Sequence, residues 1–299
     1  MGESRNNLEG LDLPHIQVNN GEINTEASSG TQGPQRTRSV RLHYQLDGPA
    51  DAPVVVFSNS LGADISMWEP QMPAFMREFR VLRYDTRGHG KSETTPGPYT
   101  IELLSRDVTG LLDGLGVSRA HFCGLSMGGA IGLWLGIHAA DRIAKLMLCN
   151  TAAQFGSADA WNARIANVQQ AKMRQEGMAA LVPAIMQRWF TECFLASGSP
   201  LLESTRKMLL RCPPDGYIAC CEAIRDVNLT GEVARVKARA LIISGSHDPA
   251  TPPRDGRFLA DNIPGARYAE LNASHLSNIE AAQEFTDVAL QFLGEREAS

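Results

Sequence analysis

The chain has 299 residues, 43% of them hydrophobic and 20% charged, with a formal net charge of −5. That length is ample to bury a sizeable core in one large domain or two modest ones. The mild acidity and the lack of a long basic run argue against a nucleic-acid or anionic-membrane role, and no apolar stretch approaches a membrane span.

Residues 1–38 are rich in Asn, Gly, Ser, Gln and Thr and read as a flexible leader. They lack the apolar centre of a secretory signal, and Asn6 stands where myristoylation wants Ser or Thr. "SVRLHYQLDG" (39–48) alternates in polarity, as an early edge strand does. "PVVVFSNS" (53–60) is a short β-branched run fit for a buried parallel strand. "ISMWEPQMPAFMREF" supplies a helix with a proline interruption. "RVLRYDTRGHG" (80–90) reads as strand then glycine-rich loop, and 99–116 as a helix stopped by glycine. Residues 119–126, 127–140 and 143–151 repeat strand, helix, strand. Two more strands are expected over 238–248 and 266–275, and a last helix over roughly 281–293. Such alternation implies a parallel sheet covered on both faces.

One stretch breaks the pattern. Residues 153–236 carry successive amphipathic helical segments and no clear strand. They read as a helical lid inserted into a core made of 39–152 and 237–299, lying over the carboxyl ends of the strands where open parallel sheets bind ligands. No internal repeat is visible.

The six cysteines, at 123, 149, 193, 212, 220 and 221, show no metal-ligand spacing. With no secretory signal, reduced thiols in the cytoplasm are the simple expectation. No metal is called for.

Gly124-Leu125-Ser126-Met127-Gly128 fits G-x-S-x-G between a predicted strand and a predicted helix. A turn that tight strains the serine backbone and crowds any side chain at the flanking glycines. It exposes the hydroxyl at a helix N-terminus, which favours developing negative charge. A serine needs a base, and the motif predicts the order Ser, acid, His. Of seven histidines three follow Ser126: His138, inside the helix expected directly after the serine, and His247 and His275. His247 leaves no room for a later acid, so His275, after the last strand, is the candidate base. Asp248, ending the preceding strand, is the candidate acid that orients it; a helix N-cap is the plainer role for the same aspartate. The oxyanion donors are expected to be the N–H of Met127 and the N–H of Leu61, with side-chain donation from Asn59 or Ser60 left open. Asp85–Ser92 looks chemically rich, yet His89 precedes the nucleophile, so a glycine-shaped structural loop is expected.

Together these residues resemble the α/β-hydrolase family over about 40–293. "NSLGADISMWEPQMPAF", "RYDTRGHGKSETTPGPYTIELLSRDV" and "FCGLSMGGAIGLWLG" are similar, within it, to the branch that opens 3-oxoadipate enol-lactone in aromatic catabolism by the β-ketoadipate pathway. Asn59-Ser60 departs from the His-Gly pair common in the wider family. The resemblance implies an α/β-hydrolase fold, a mostly parallel sheet flanked by helices with a helical lid, and a serine hydrolase without cofactor. It implies a small lactone or ester substrate bearing a carboxylate. Trp134, eight residues beyond Ser126, is a candidate for the pocket, or else a core tryptophan. Arg164, Arg174 and Arg188 are candidates for the substrate carboxylate, since arginine binds it bidentately, or else solvated lid residues. An esterase or lactonase of other specificity, a haloperoxidase-like perhydrolase and a small-molecule receptor on the same fold stay open, as does a homo-oligomeric state.

Overall fold

The computed structural model describes residues 15–18 and 39–295. Its strands are β1 (His15–Val18), β2 (Val40–Asp47), β3 (Val54–Ser58), β4 (Arg80–Tyr84), β5 (Ala120–Leu125), β6 (Ile143–Cys149), β7 (Arg239–Gly245) and β8 (Arg267–Leu271). Its helices are α1 (Met72–Phe75), α2 (Ile101–Gly114), α3 (Met127–His138), α4 (Ala158–Met173), α5 (Val182–Trp189), α6 (Glu192–Ala196), α7 (Pro200–Leu210), α8 (Pro214–Asp226), α9 (Pro253–Asn262), α10 (Ser277–Glu280) and α11 (Ala282–Gly294).

The strands lie in the order β1-β2-β4-β3-β5-β6-β7-β8. From β4 to β8 every pairing is parallel, while β1 and β2 join antiparallel at one edge. Val55, Val56, Val81, Phe122 and Ile243 are fully buried, because a sheet between two helical layers has no wet face. Helix α2 buries Leu104, Val108, Leu111 and Leu112 along one stripe, and the Thr100 hydroxyl caps it by accepting the Leu103 N–H. Helix α3 is apolar on nearly every side because all of its residues but Trp134 and His138 are buried.

The chain leaves β3 toward β4 on one side and returns to β5 on the other, so order reverses between β3 and β5. In open α/β sheets such a switch point opens a crevice at the strands' carboxyl ends. The register Ser58↔Gly124 sets the loop after β3 beside the turn after β5. The loops after β6, β7 and β8 emerge along the same rim.

Helices α4–α8 intervene between β6 and β7. Helix α5 stops where Phe190 turns extended, and the Thr191 hydroxyl caps α6. Helix α8 lies within the helical stretch expected over 153–236, and Pro214 occupies its start, where a missing N–H costs nothing. Over 65–79 the proline interruption leaves a 3₁₀ turn, Ile65–Trp68, and the short α1. His15–Val18, inside the segment read as leader, forms an edge strand on β2; the rest of 1–38 lies outside the described residues. Among those residues no helix is long and apolar enough to cross a membrane. All six cysteines are free thiols. Burial pushes the Cys221 thiol up to about 12, which keeps it protonated.

Helix α8 seats backbone against backbone on the core. A Cβ at Gly216 would fall 1.9 Å from the Gly88 carbonyl oxygen. Gly216→Ala must therefore lift the helix, and a loss of roughly 1–3 kcal/mol is expected in urea unfolding; an unchanged midpoint would show the contact to be slack.

Candidate active site

Ser126 sits at φ 59°, ψ −114°, between β5 and α3. This backbone is costly for any L residue and persists only where its surroundings fix it. Its N–H donates to the Cys149 carbonyl at 2.9 Å, and its own carbonyl accepts from Ala130 N–H at 3.0 Å and Thr151 Oγ1 at 2.7 Å. The neighbouring glycines are sterically required. A Cβ at Gly124 would meet the Gly128 oxygen at 2.0 Å, and one at Gly128 the Ser58 oxygen at 2.2 Å.

Asp248 follows β7, and its carboxylate is saturated with donors. Oδ2 accepts from His275 Nδ1 at 2.8 Å, Thr251 Oγ1 at 2.7 Å and Asn150 Nδ2 at 3.0 Å. Oδ1 accepts the N–H groups of Ala250 at 2.8 Å and Thr251 at 3.1 Å. The aspartate thus organises its own turn and orients His275 at once; helix α9 begins later, at Pro253. Burial pushes this carboxyl up, but the charge and hydrogen bond of His275, with those of Asn150 and Thr251, outweigh it, and the net direction is below the ordinary value. Asn150 lies between the turns after β5 and β7. Its residue type carries no motif, and its positive φ of 43° is the one sequence-silent sign of its role.

Ser126 and His275 line one cavity of about 360 Å³, at the small end of ligand-pocket sizes, about 300–1,000 Å³. Leu61 lines it too. The Ser60 N–H beside it is held by Met67 Sδ at 3.4 Å, and the Gly62 N–H by His89 Nε2 at 2.9 Å. Met127 is the first residue of α3, where an N–H has no acceptor within its helix. The Asn59 amide is spent elsewhere: it donates to the Tyr84 carbonyl at 2.9 Å and accepts from Trp68 Nε1 at 2.9 Å.

The insertion between β6 and β7 contributes Phe155, Trp161, Arg164, Asn167, Arg188 and Trp189 to the cavity. The Arg164 guanidinium lies 5.2 Å from the Trp161 ring centre and 5.5 Å from that of Tyr217. Burial, and then the Arg164 charge, hold the Arg188 guanidinium below its ordinary value. Among the described residues, the lining holds these two cations and no carboxylate.

Trp134 is a correction: it does not line the cavity, and its ring stacks on His138 with centres 4.6 Å apart. Eight residues carry it about 12 Å along α3, away from the strand ends. Arg174 likewise lies off the cavity, exposed at the end of α4. Trp161 and Trp189, which line it, were not singled out from sequence.

The loop Asp85–Ser92 is structural. Asp85 accepts from His43 Nδ1, Ile65 N–H and Lys91 N–H, each at 2.9 Å. Arg87 grips Asp107 through two bonds of 2.8 and 2.5 Å. On the other flank, Asn278 Nδ2 donates to the Met67 carbonyl at 2.8 Å, and Gln71 Nε2 to the Asn278 carbonyl at 2.7 Å. These bonds tie α10, after His275, to the segment beside Leu61.

Residues 53–215 match the alpha/beta hydrolase fold family. Over 248 residues the chain is 40% identical to 3-oxoadipate enol-lactonase 2 of Acinetobacter baylyi, covering 83% of this chain and 91% of that protein. The crystal structure of the enol-lactonase from Burkholderia xenovorans superposes with a TM-score of 0.82 at 50% identity, covering 86% of this chain and 97% of that one. A thermophilic esterase from Thermogutta terrifontis, solved with malate bound, gives 0.81 at 25% identity, covering 94% and 98%.

Burial lowers the His89 imidazole to about 4, against the bonds and charges of Arg87, Asp85 and Asp64 that favour its proton. It is therefore a neutral acceptor for Gly62. The unfolded chain takes up a proton below about pH 6.5 that the folded protein refuses, so this contribution to stability falls as pH drops from about 6.5 toward 4 and then levels off. His89→Gln, which keeps an acceptor, is expected to flatten that slope in urea midpoints taken across the window.

Proposed function

The chain belongs to the α/β-hydrolase family, and we propose that it is a serine hydrolase that opens 3-oxoadipate enol-lactone to 3-oxoadipate. The observation that carries the substrate class is the cavity lining: Ser126 and His275 share it with two arginines and no carboxylate among the described residues. Half-buried guanidiniums without a counter-charge favour an anionic ligand. A small lactone with a carboxylate arm supplies that anion and suits the cavity's size. Likeness to two enol-lactonases supports the same substrate.

His275 takes the proton as Ser126 Oγ attacks the ring carbonyl. Asp248, held ionised by its five donors, fixes the imidazole tautomer and stabilises the imidazolium. The N–H groups of Met127 and Leu61 receive the oxyanion, aided by the dipole of α3. Collapse breaks the ring C–O bond and expels an enolate, a good leaving group, which takes the proton from the His275 imidazolium to become the enol and leaves the imidazole neutral. Water, deprotonated by His275, attacks the acyl-serine, and Ser126 leaves with its proton restored. The free enol then tautomerises to the ketone. Helices α4–α8 serve as the lid, with Arg164 and Arg188 holding the pre-existing carboxylate.

Ser126→Ala is expected to cut turnover roughly 10³- to 10⁶-fold with the fold intact by circular dichroism; full activity would remove the nucleophile assignment. Arg188→Ala is expected to raise KM for the lactone about tenfold or more while leaving KM for neutral esters nearly unchanged. The decisive assay is spectrophotometric, on freshly generated 3-oxoadipate enol-lactone beside plain esters. Equal turnover of the esters would point to a general esterase.

A further inference from the structure

Resting on that reading of the cavity, we propose that Glu280 is a positioning residue that fixes the spacing between the carboxylate-binding Arg188 and the base His275, and so sets preference for anionic substrates. The two groups come from distant elements, α5 and the loop after β8, yet their backbones are laced together. Ser274 Oγ donates to the Arg188 carbonyl at 3.2 Å, and the Leu276 N–H to the Trp189 carbonyl at 3.1 Å. The residues on both sides of His275, one through its hydroxyl and one through its N–H, therefore hang from the end of the helix that carries Arg188.

Glu280 closes this seam. Its carboxylate turns back to accept the Ser274 N–H at 2.9 Å. It turns outward to accept the Thr191 N–H at 3.3 Å on each oxygen and the Thr191 hydroxyl. Thr191 is the residue that caps α6 and ends the extended link after α5. One side chain thus binds the His275 loop and the lid segment 188–191 together.

The loop itself has separate anchors on the core. His275 is held by Asp248 at 2.8 Å, the Ser274 carbonyl accepts Asn150 Nδ2 at 3.3 Å, and the Ala273 carbonyl accepts the His247 N–H at 3.0 Å. Loss of Glu280 should accordingly loosen the lid segment, leaving it on the two bonds to Ser274 and Leu276, while the imidazole stays in place. A substrate that spans from Ser126 to Arg188 depends on that spacing; a short neutral ester does not.

The test compares a succinate half-ester of 4-nitrophenol with neutral 4-nitrophenyl butyrate. In the wild type the half-ester should be preferred in kcat/KM; absence of that preference overturns both the anion subsite and this proposal. With the preference present, this test stays readable even if the enol-lactone proves not to be a substrate. Glu280→Ala should reduce the preference about tenfold while changing butyrate turnover by about twofold or less. Glu280→Gln, which retains one acceptor oxygen, should fall between, and carries the test if the alanine variant does not fold. In an Arg188→Ala background, Glu280→Ala should change the preference no further. Equal losses on both esters, or additive losses with Arg188→Ala, overturn the proposal.

Discussion

The site depends on a lack of space. Helix α3 begins so close to β3 that no side-chain atom fits between Gly128 and the Ser58 carbonyl, nor between Gly124 and Gly128. The chain reverses from strand to helix around one residue, and Ser126 takes the backbone strain. A looser packing of α3 on the sheet would let the serine relax to ordinary dihedrals and turn its hydroxyl from the cavity. Binding Gly128 N–H to the Asn59 carbonyl at 3.0 Å fastens the same turn to the loop that carries Leu61. Ser126 and the N–H groups of Leu61 and Met127 are in this way parts of one rigid corner.

Around that corner the chemistry is divided between layers. The core supplies charge that is fully answered: Asp248 has a donor for each accessible lone pair, Arg87 has Asp107, and His89 stays neutral. The insertion between β6 and β7 holds charge that no carboxylate of the cavity lining answers among the described residues, in Arg164 and Arg188. A half-buried pair of like charges works against stability, and the fold tolerates it where aromatic faces of Trp161 and Tyr217 lie beside one guanidinium. On the proposed reading, reaction type and substrate preference reside in separable parts of the chain.

Much of this is legible in the sequence because the sheet orders it. Alternating strand and helix runs announce the parallel core, and the carboxyl ends of β5, β7 and β8 then name Ser126, Asp248 and His275 as neighbours. Residues that serve through tertiary placement are silent. Asn150 belongs to no motif, and Trp161 and Trp189 look like any amphipathic-helix aromatic. Trp134 misleads because sequence proximity to Ser126 is not spatial proximity once a helix has risen two turns.

The bonds from Asn278 to Met67 and Gln71 join positions 207 and 211 residues apart. On the mechanism proposed above, Ser126 and its oxyanion donors lie early in the chain, whereas the base His275 arrives only with the last strand and the helix that fastens it. During synthesis on the ribosome, an emerging chain would display its serine long before any imidazole could deprotonate it. Esterase activity in this architecture is therefore a property of the finished polypeptide, and a C-terminally truncated product should be inert rather than indiscriminate.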